Sequence, residues 1–288
     1  MYLVIDIGGS SVKSGIWQAG KLLAEEQALS PASWEEMLAQ LVNLKARKSQ
    51  DYPLKGVSFS LPGIVNKTAG ILEGASSLAY LHGFAFREVV SQAMGLPVFM
   101  ENDAKCAALA EQRYGIAKNK QNVLFVVIGT GIGGTIISDG QIRKGHHSFS
   151  GEFGMMLING RDEWALLGSA VHMARRVSVA KGLSETALSG REVFELAEAG
   201  DPLAHQAVEE LYHYLALGIY NLQYIIDPEL IVLGGGISAK TGLIADIERH
   251  LQLIMGYGQR SPLFPKLAVC QFGNEANLIG AAIVAQSD

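Results

Sequence analysis

A chain of 288 residues is too long for one ordinary domain and long enough for two, each with its own core. Hydrophobic residues make up 49% and charged ones 18%, no apolar run has membrane-spanning length, and a formal charge of −5 without any Lys/Arg cluster argues against nucleic acid as a partner. Cys106 and Cys270 are too few for a disulfide framework or a four-cysteine zinc site, and Tyr2-Leu3-Val4-Ile5 opens the chain without a secretory signal, so a cytoplasmic protein acting on a small molecule is expected.

Residues 3–7 read as an apolar strand turned by Gly8-Gly9-Ser10-Ser11. Residues 12–17 return, Ala19-Gly20 turns again, and Lys21 to Glu25 complete a three-strand meander. Residues 33–48 carry helical apolar spacing (Trp34, Met37, Leu38, Leu41, Leu44) and lead to a strand over 57–61 that ends in Pro62-Gly63. A strand over 97–100 precedes Glu101-Asn102-Asp103 and an Ala-rich helix over 103–113. Residues 123–128 restart the plan, with Gly129 to Gly133 as the first turn, 135–138 returning and Asp139-Gly140 as the hairpin turn. A long helix over 203–226 stops before Asp227-Pro228, and a strand over 230–233 runs into Gly234-Gly235-Gly236. A strand over 267–270 and an Ala-rich helix over 274–285 close the chain. The repeated order predicts a duplicated α/β fold with a central cleft. One lobe spans 1–115 together with the C-terminal helix 274–288, and the other spans 116–273.

Glycines at strand ends let a ligand approach the backbone closely, although turn chemistry alone is the plainer account of any single cluster. Gly129-Thr130-Gly131-Ile132-Gly133-Gly134 leads into a strand rather than a helix, which excludes a dinucleotide fingerprint, and no Gly-x4-Gly-Lys-Ser/Thr loop exists. A strand–turn–strand phosphate cradle built from backbone N–H groups and the Thr130 hydroxyl remains. Asp6, at the end of the first strand, suits Mg²⁺ held directly or through water. Glu101-Asn102-Asp103 fits a helix N-cap and a ligand site at a strand end equally well. Glu152 in Gly151-Glu152-Phe153-Gly154 is weak evidence by itself, and His82, His146 and His147 show no metal-ligand spacing.

Together, Asp6-Ile7-Gly8-Gly9 with Lys13, Ser60 to Asn66, Glu101-Asn102-Asp103-Ala104, Ile128 to Gly134, Gly151 to Gly154 and Asp227 through Gly236 resemble the ROK family over essentially the whole chain. The resemblance implies an actin-like (ribonuclease H-like) two-lobe fold and ATP-dependent phosphorylation of a sugar hydroxyl. It assigns Asp6, Gly8, Gly9, Ser10, Lys13, Gly129, Thr130, Gly131 and Gly133 to the ATP phosphates. Gly234, Gly235 and Gly236 fall to the adenosine side. Gly63, Asn102, Asp103 and Glu152 would hold the sugar, with Asp103 also the catalytic base, and Glu163 would match the family's second sugar-contacting glutamate. A homodimer is a further expectation from the resemblance.

Zinc-bearing members place a histidine and a cysteine-rich loop after Gly-Glu-x-Gly. Here Met155 and Met156 follow, then Leu157 to Glu163 without cysteine, so ATP and Mg²⁺ are expected and zinc is not. The variant is most similar to zinc-less bacterial β-glucoside kinases, which implies a hexose or β-glucoside acceptor phosphorylated at C6. N-acetylmannosamine kinase and glucokinase activities are the alternatives. A non-catalytic sugar-sensing regulator is the rival from another class.

Overall fold

Val, Ile and Leu make up most of 2–7, 123–128 and 230–234, three segments that become central strands, where branched side chains pack well against both neighbouring layers. The computed structural model describes residues 1–74, 76–256 and 263–287. The chain divides into two units, one formed by Met1–Gly115, Gly145–Phe149 and Phe272–Asp288, the other by Ile116–Lys144 and Ser150–Gln271.

In the first unit, β1 (Tyr2–Ile7), β2 (Ser11–Gln18) and β3 (Lys21–Leu29) form an antiparallel meander. Ala19 and Gly20 take φ of 47° and 82°, the left-handed pair of a tight hairpin turn. Helix α1 (Trp34–Asp51) starts where the Ser33 side chain accepts the Glu36 N–H, and it buries Met37, Leu41 and Leu44 on one stripe. Strand β4 (Gly56–Leu61) lies parallel to β1, a small hairpin of β5 (Ile64–Asn66) and β6 (Ile71–Glu73) follows, and α2 (Phe86–Met94) leads into β7 (Val98–Asn102). The resulting sheet has the order β3-β2-β1-β4-β7, and α3 (Asp103–Tyr114) leaves from its end.

The second unit repeats the plan. Strands β8 (Val123–Ile128), β9 (Ile132–Ser138) and β10 (Gln141–Arg143) form its meander, with Asp139 and Gly140 at φ of 53° and 74°. Helices α4 (Trp164–Leu167), α5 (Ala170–Ala180), α6 (Gly190–Glu198) and α7 (Pro202–Ile226) come next. Strand β11 (Leu230–Gly234), helix α8 (Leu243–Gly256) and strand β12 (Leu267–Val269) complete the order β10-β9-β8-β11-β12. One apolar core runs under this sheet against α7, from Leu124 and Val126 to Leu211 and Leu215.

The last helix, α9 (Ala276–Ser287), belongs to the first unit and packs against α3. The Ser58 hydroxyl donates to the Ala281 carbonyl at 2.6 Å, and Gly280 meets α3 so closely that a Cβ on it would sit 1.9 Å from the Cys106 carbonyl oxygen.

Among the boundaries that differ from the sequence expectation, two bear on the site. Strand β9 begins at Ile132, so Gly133 and Gly134 pair with Val127 and Val126 instead of extending the turn. Gly134 is required there because a Cβ would stand 2.2 Å from the Phe125 carbonyl and 2.6 Å from the Phe153 ring. Strand β7 runs on through Glu101 and Asn102, since its pairing with Ser60 and Leu61 of β4 involves the backbone and is indifferent to polar side chains.

Candidate active site

The parallel strands β1, β4 and β7 pair Asp6 with Ser60 and Ser60 with Glu101, so three polar residues end side by side where ligand sites of α/β sheets lie. Asp6 is buried, and its Oδ1 accepts the Ser60 hydroxyl at 2.6 Å and the Asn277 amide at 3.0 Å. Burial pushes its carboxyl up from the ordinary value, opposed by those two hydrogen bonds and by the charge of Lys13, its cross-strand partner on β2. The adjoining turn is closed by the Gly8 N–H donating to the Ser11 carbonyl at 2.9 Å and by Ser30, whose hydroxyl donates to the Gly8 carbonyl and whose N–H donates to Ser10. Asp6, Gly8, Gly9, Ser10 and Lys13 therefore form one group.

Gly63, Asn102 and Asp103 form a second. Gly63 takes φ of 82°, and its carbonyl accepts the Asn102 amide at 2.9 Å. The same amide donates to Asp103 Oδ1 at 2.8 Å, which also accepts the Ala104 N–H. Asn102 caps α3, its Oδ1 accepting the Lys105 N–H. The capping role that sequence left open between the two residues falls to Asn102, while Asp103 occupies the first helical turn. Buried Glu101 supports both, accepting the Asn102 N–H and pairing with Lys67 at 3.2 Å.

In the second unit the turn Gly129–Gly131 is closed by the Gly129 N–H donating to the Gly131 carbonyl. Buried Ser169, the N-cap of α5, shares its hydroxyl proton between the carbonyls of Gly129 (2.9 Å) and Thr130 (2.8 Å). Among the described residues, a Cβ built on Gly129, Gly133 or Gly236 meets no heavy atom within 4 Å, and on Gly131 it makes only ordinary contact with Ala165 at 3.6 Å. None of the four has positive φ, so the fold itself does not require glycine there. Gly235 differs: its φ is 85° and a Cβ would lie 2.2 Å from the Ile128 carbonyl. Gly234 is likewise confined, by Cys270 Sγ at 2.9 Å. Gly129 and Gly236 line a cavity of about 500 Å³ with Ala170, Gly190, Phe194 and Lys240, a size that suits a nucleoside.

Glu152 stands before a short 3-10 turn, Phe153–Met155. Beyond it, Leu157 and Glu163 pair across a small hairpin whose tip is held by Asn159, its Oδ1 accepting the N–H groups of Arg161 and Asp162. Trp164 anchors the hairpin, fully buried, with its indole N–H on the Tyr214 carbonyl and its ring against Gly218. Glu163 precedes α4 without capping it through its side chain. Hydrogen bonds and a buried tryptophan thus shape the segment from Leu157 to Trp164. Among the described residues, no cluster of three or more His, Cys, Asp or Glu is arranged to hold a metal.

The model of the ROK family matches residues 2–288. The chain belongs to the ROK family. It is 30% identical over 285 residues to the beta-glucoside kinase of Listeria monocytogenes serovar 1/2a, an alignment covering 96% of this chain and 94% of that one. A ROK family protein from Streptococcus pneumoniae TIGR4, solved in complex with sucrose, matches with a TM-score of 0.87 and 33% identity over 98% of this chain and 96% of that one. The ROK family glucokinase from Streptomyces griseus, solved with glucose and AMPPNP, matches at 0.83 and 26%, covering 99% and 100%. The fold is the duplicated actin-like fold of these ROK proteins. The relatives do not favour the sensing regulator.

Several supporting residues escaped the sequence reading of this ROK chain. Asn277 reaches Asp6 across 271 positions, a contact with no local signal. Ser60 was part of a family motif, but its bond to Asp6 emerges only from the register of β4 on β1. Ser169 had a readable signal: serine immediately before Ala170 and a helical run is an N-cap pattern.

Proposed function

We propose that this ATP-dependent sugar kinase phosphorylates the C6 hydroxyl of a hexose or β-glucoside, with Asp103 as the catalytic base. The observation that carries the reading is the division of labour at the start of α3. Asn102 caps the helix start and its amide donates to Asp103 Oδ1, which also accepts the Ala104 N–H, so the carboxylate is held in one orientation at the end of β7. Phosphoryl transfer passes through a loose transition state, and positioning outweighs early deprotonation. Asp103 orients the acceptor hydroxyl and takes its proton late, a contribution of about 10²–10⁴-fold. Gly63, Asn102, Glu152 and Glu163 orient the sugar, and the Gly8-Gly9 and Gly129–Gly133 backbones receive phosphate oxygens.

Mg²⁺ fits Asp6. The two hydrogen bonds to that carboxylate both fall on Oδ1, and burial makes the charged form costly until a cation compensates it. One carboxylate suits an ion that keeps several waters and phosphate oxygens. The ion would neutralise charge on the phosphates. Asp6 would hold it, directly or through water, and Lys13 would add a fixed positive charge on the adjacent strand.

Support for a β-glucoside acceptor comes from Met155 and Leu157, each 61% exposed, which flank the Glu152 segment with apolar surface that a ring or aglycone at C1 could cover. A homodimer in the cytoplasm completes the proposal. The test is a coupled assay with ATP and Mg²⁺ on cellobiose, glucose and N-acetylmannosamine, with NMR locating the phosphorylated carbon. We expect kcat/KM for cellobiose at least equal to that for glucose, phosphate at C6, and N-acetylmannosamine as the poorer substrate. A clear preference for N-acetylmannosamine would overturn the acceptor while leaving the kinase standing.

A further inference from the structure

The first phosphate turn carries a side chain that its own sequence does not contain. A Cβ built on Gly9 would stand 2.3 Å from Ser77 Oγ and 3.1 Å from Ser77 Cβ, although Gly9 has no positive φ. Glycine at position 9 therefore makes room for the hydroxyl of Ser77, which comes from a segment far along the chain. Ser77 is exposed, and among the described residues its Oγ makes no hydrogen bond. It is nonetheless held in place from both sides. Ser76 Oγ contacts His82 Nε2 at 2.7 Å and accepts the Leu78 N–H, while Leu78 and Leu81 are buried in the core of the unit. The Tyr80 hydroxyl donates to the Pro31 carbonyl, one residue beyond the Ser30 that closes the Gly8-Gly9 turn. The two segments are thus tied at their bases, and the space between Gly9 and Ser77 lacks a side chain on one side and presents an unpartnered donor on the other.

We infer that Ser77 is a phosphate-contacting residue of the kinase reaction, its hydroxyl donating to an oxygen of the phosphoryl group received at the Gly8-Gly9 turn. The inference rests on the reading of that turn as a phosphate site. A hydroxyl aimed at a developing negative charge is worth more in the transition state than in the ground state, so its loss falls on kcat more than on the affinity for either substrate.

The test uses the full-length protein with ATP, Mg²⁺ and the best sugar of the panel. Ser77→Ala, at an exposed position, is expected to lower kcat by about 10- to 100-fold with both KM values nearly unchanged, and Ser77→Thr to restore most of the loss. Wild-type kcat in Ser77→Ala, no recovery in Ser77→Thr, or a loss in Ser77→Ala that tracks a lowered Tm would each overturn the inference. Those outcomes leave the kinase reading intact, because that reading stands or falls with Asp103.

Discussion

At the scale of single residues, two neighbouring carboxylate sites call for opposite expectations. Asp103→Asn keeps shape and most hydrogen bonds but removes the proton acceptor, so the KM for sugar should stay within several-fold while kcat falls by about 10²–10⁴. Steady-state kinetics on the purified variant checks it, and near-normal turnover would sink the assignment. Because Asn102 rather than Asp103 caps α3, the substitution should also leave Tm almost unchanged. Asp6→Asn should behave differently. Its amide oxygen can still accept from Ser60 and Asn277, while the cost of a buried charge disappears. Since burial raises the folded carboxyl above its unfolded value, the stability that Asp6 contributes is present below the unfolded value and is lost as pH rises through the folded one. At pH 7 the variant should melt at or above the wild-type temperature, with the difference vanishing below about pH 3, where the carboxyl is largely neutral in both states. Its Mg²⁺-dependent turnover should nevertheless collapse. Calorimetry across that pH range separates the two effects.

At the scale of elements, the turn between β8 and β9 separates glycines kept for packing from glycines kept for a ligand. Gly134, Gly151 and Gly154 would each place a Cβ within 2.3 Å of backbone oxygen, so any side chain there disturbs the fold. Gly131 has room, with ordinary contact to Ala165 alone. Gly131→Val should therefore fold normally yet raise the KM for ATP by about tenfold or more, equivalent to ~1.4 kcal/mol of lost binding, with the sugar KM little changed. An unaltered KM in a folded variant would return the turn to a purely structural role. The sequence showed the cluster Gly129 to Gly134 as one object. Only the strand register divides it, because Phe153 packs over Gly134 while, among the described residues, a Cβ on Gly133 would meet nothing within 4 Å.

At the scale of the whole chain, the first unit is completed by residues that come last. Helix α9 lies against α3, and the Ser58–Ala281 bond joins positions 223 apart in sequence. Alanine is the better helix former than glycine by about 1 kcal/mol, so propensity alone predicts that Gly280→Ala stabilises α9. Packing predicts the reverse, since the added methyl meets the Cys106 carbonyl at 1.9 Å and overpacking costs about 1–3 kcal/mol or more. The larger effect should win. Urea unfolding should show a lower midpoint for Gly280→Ala, and a raised midpoint would mean that the α3–α9 contact relaxes more easily than its geometry suggests.

Much of this protein is written locally. The strand–turn–strand order, the left-handed pairs Ala19-Gly20 and Asp139-Gly140, the apolar stripe of α1 and the polar triplet Glu101-Asn102-Asp103 all follow from residue period and turn chemistry within a few positions of each other. Those signals sufficed for a duplicated α/β chain, while the candidate site residues came mostly from the family resemblance. The tertiary structure decided what depends on distant partners. It assigned the cap to Asn102, brought Asn277 and Ser60 onto Asp6, set Ser77 against Gly9, and anchored the hairpin before Trp164. A hydrogen bond between residues 271 positions apart leaves no periodicity to read, because it is fixed by strand register and helix packing rather than by the chain beside it.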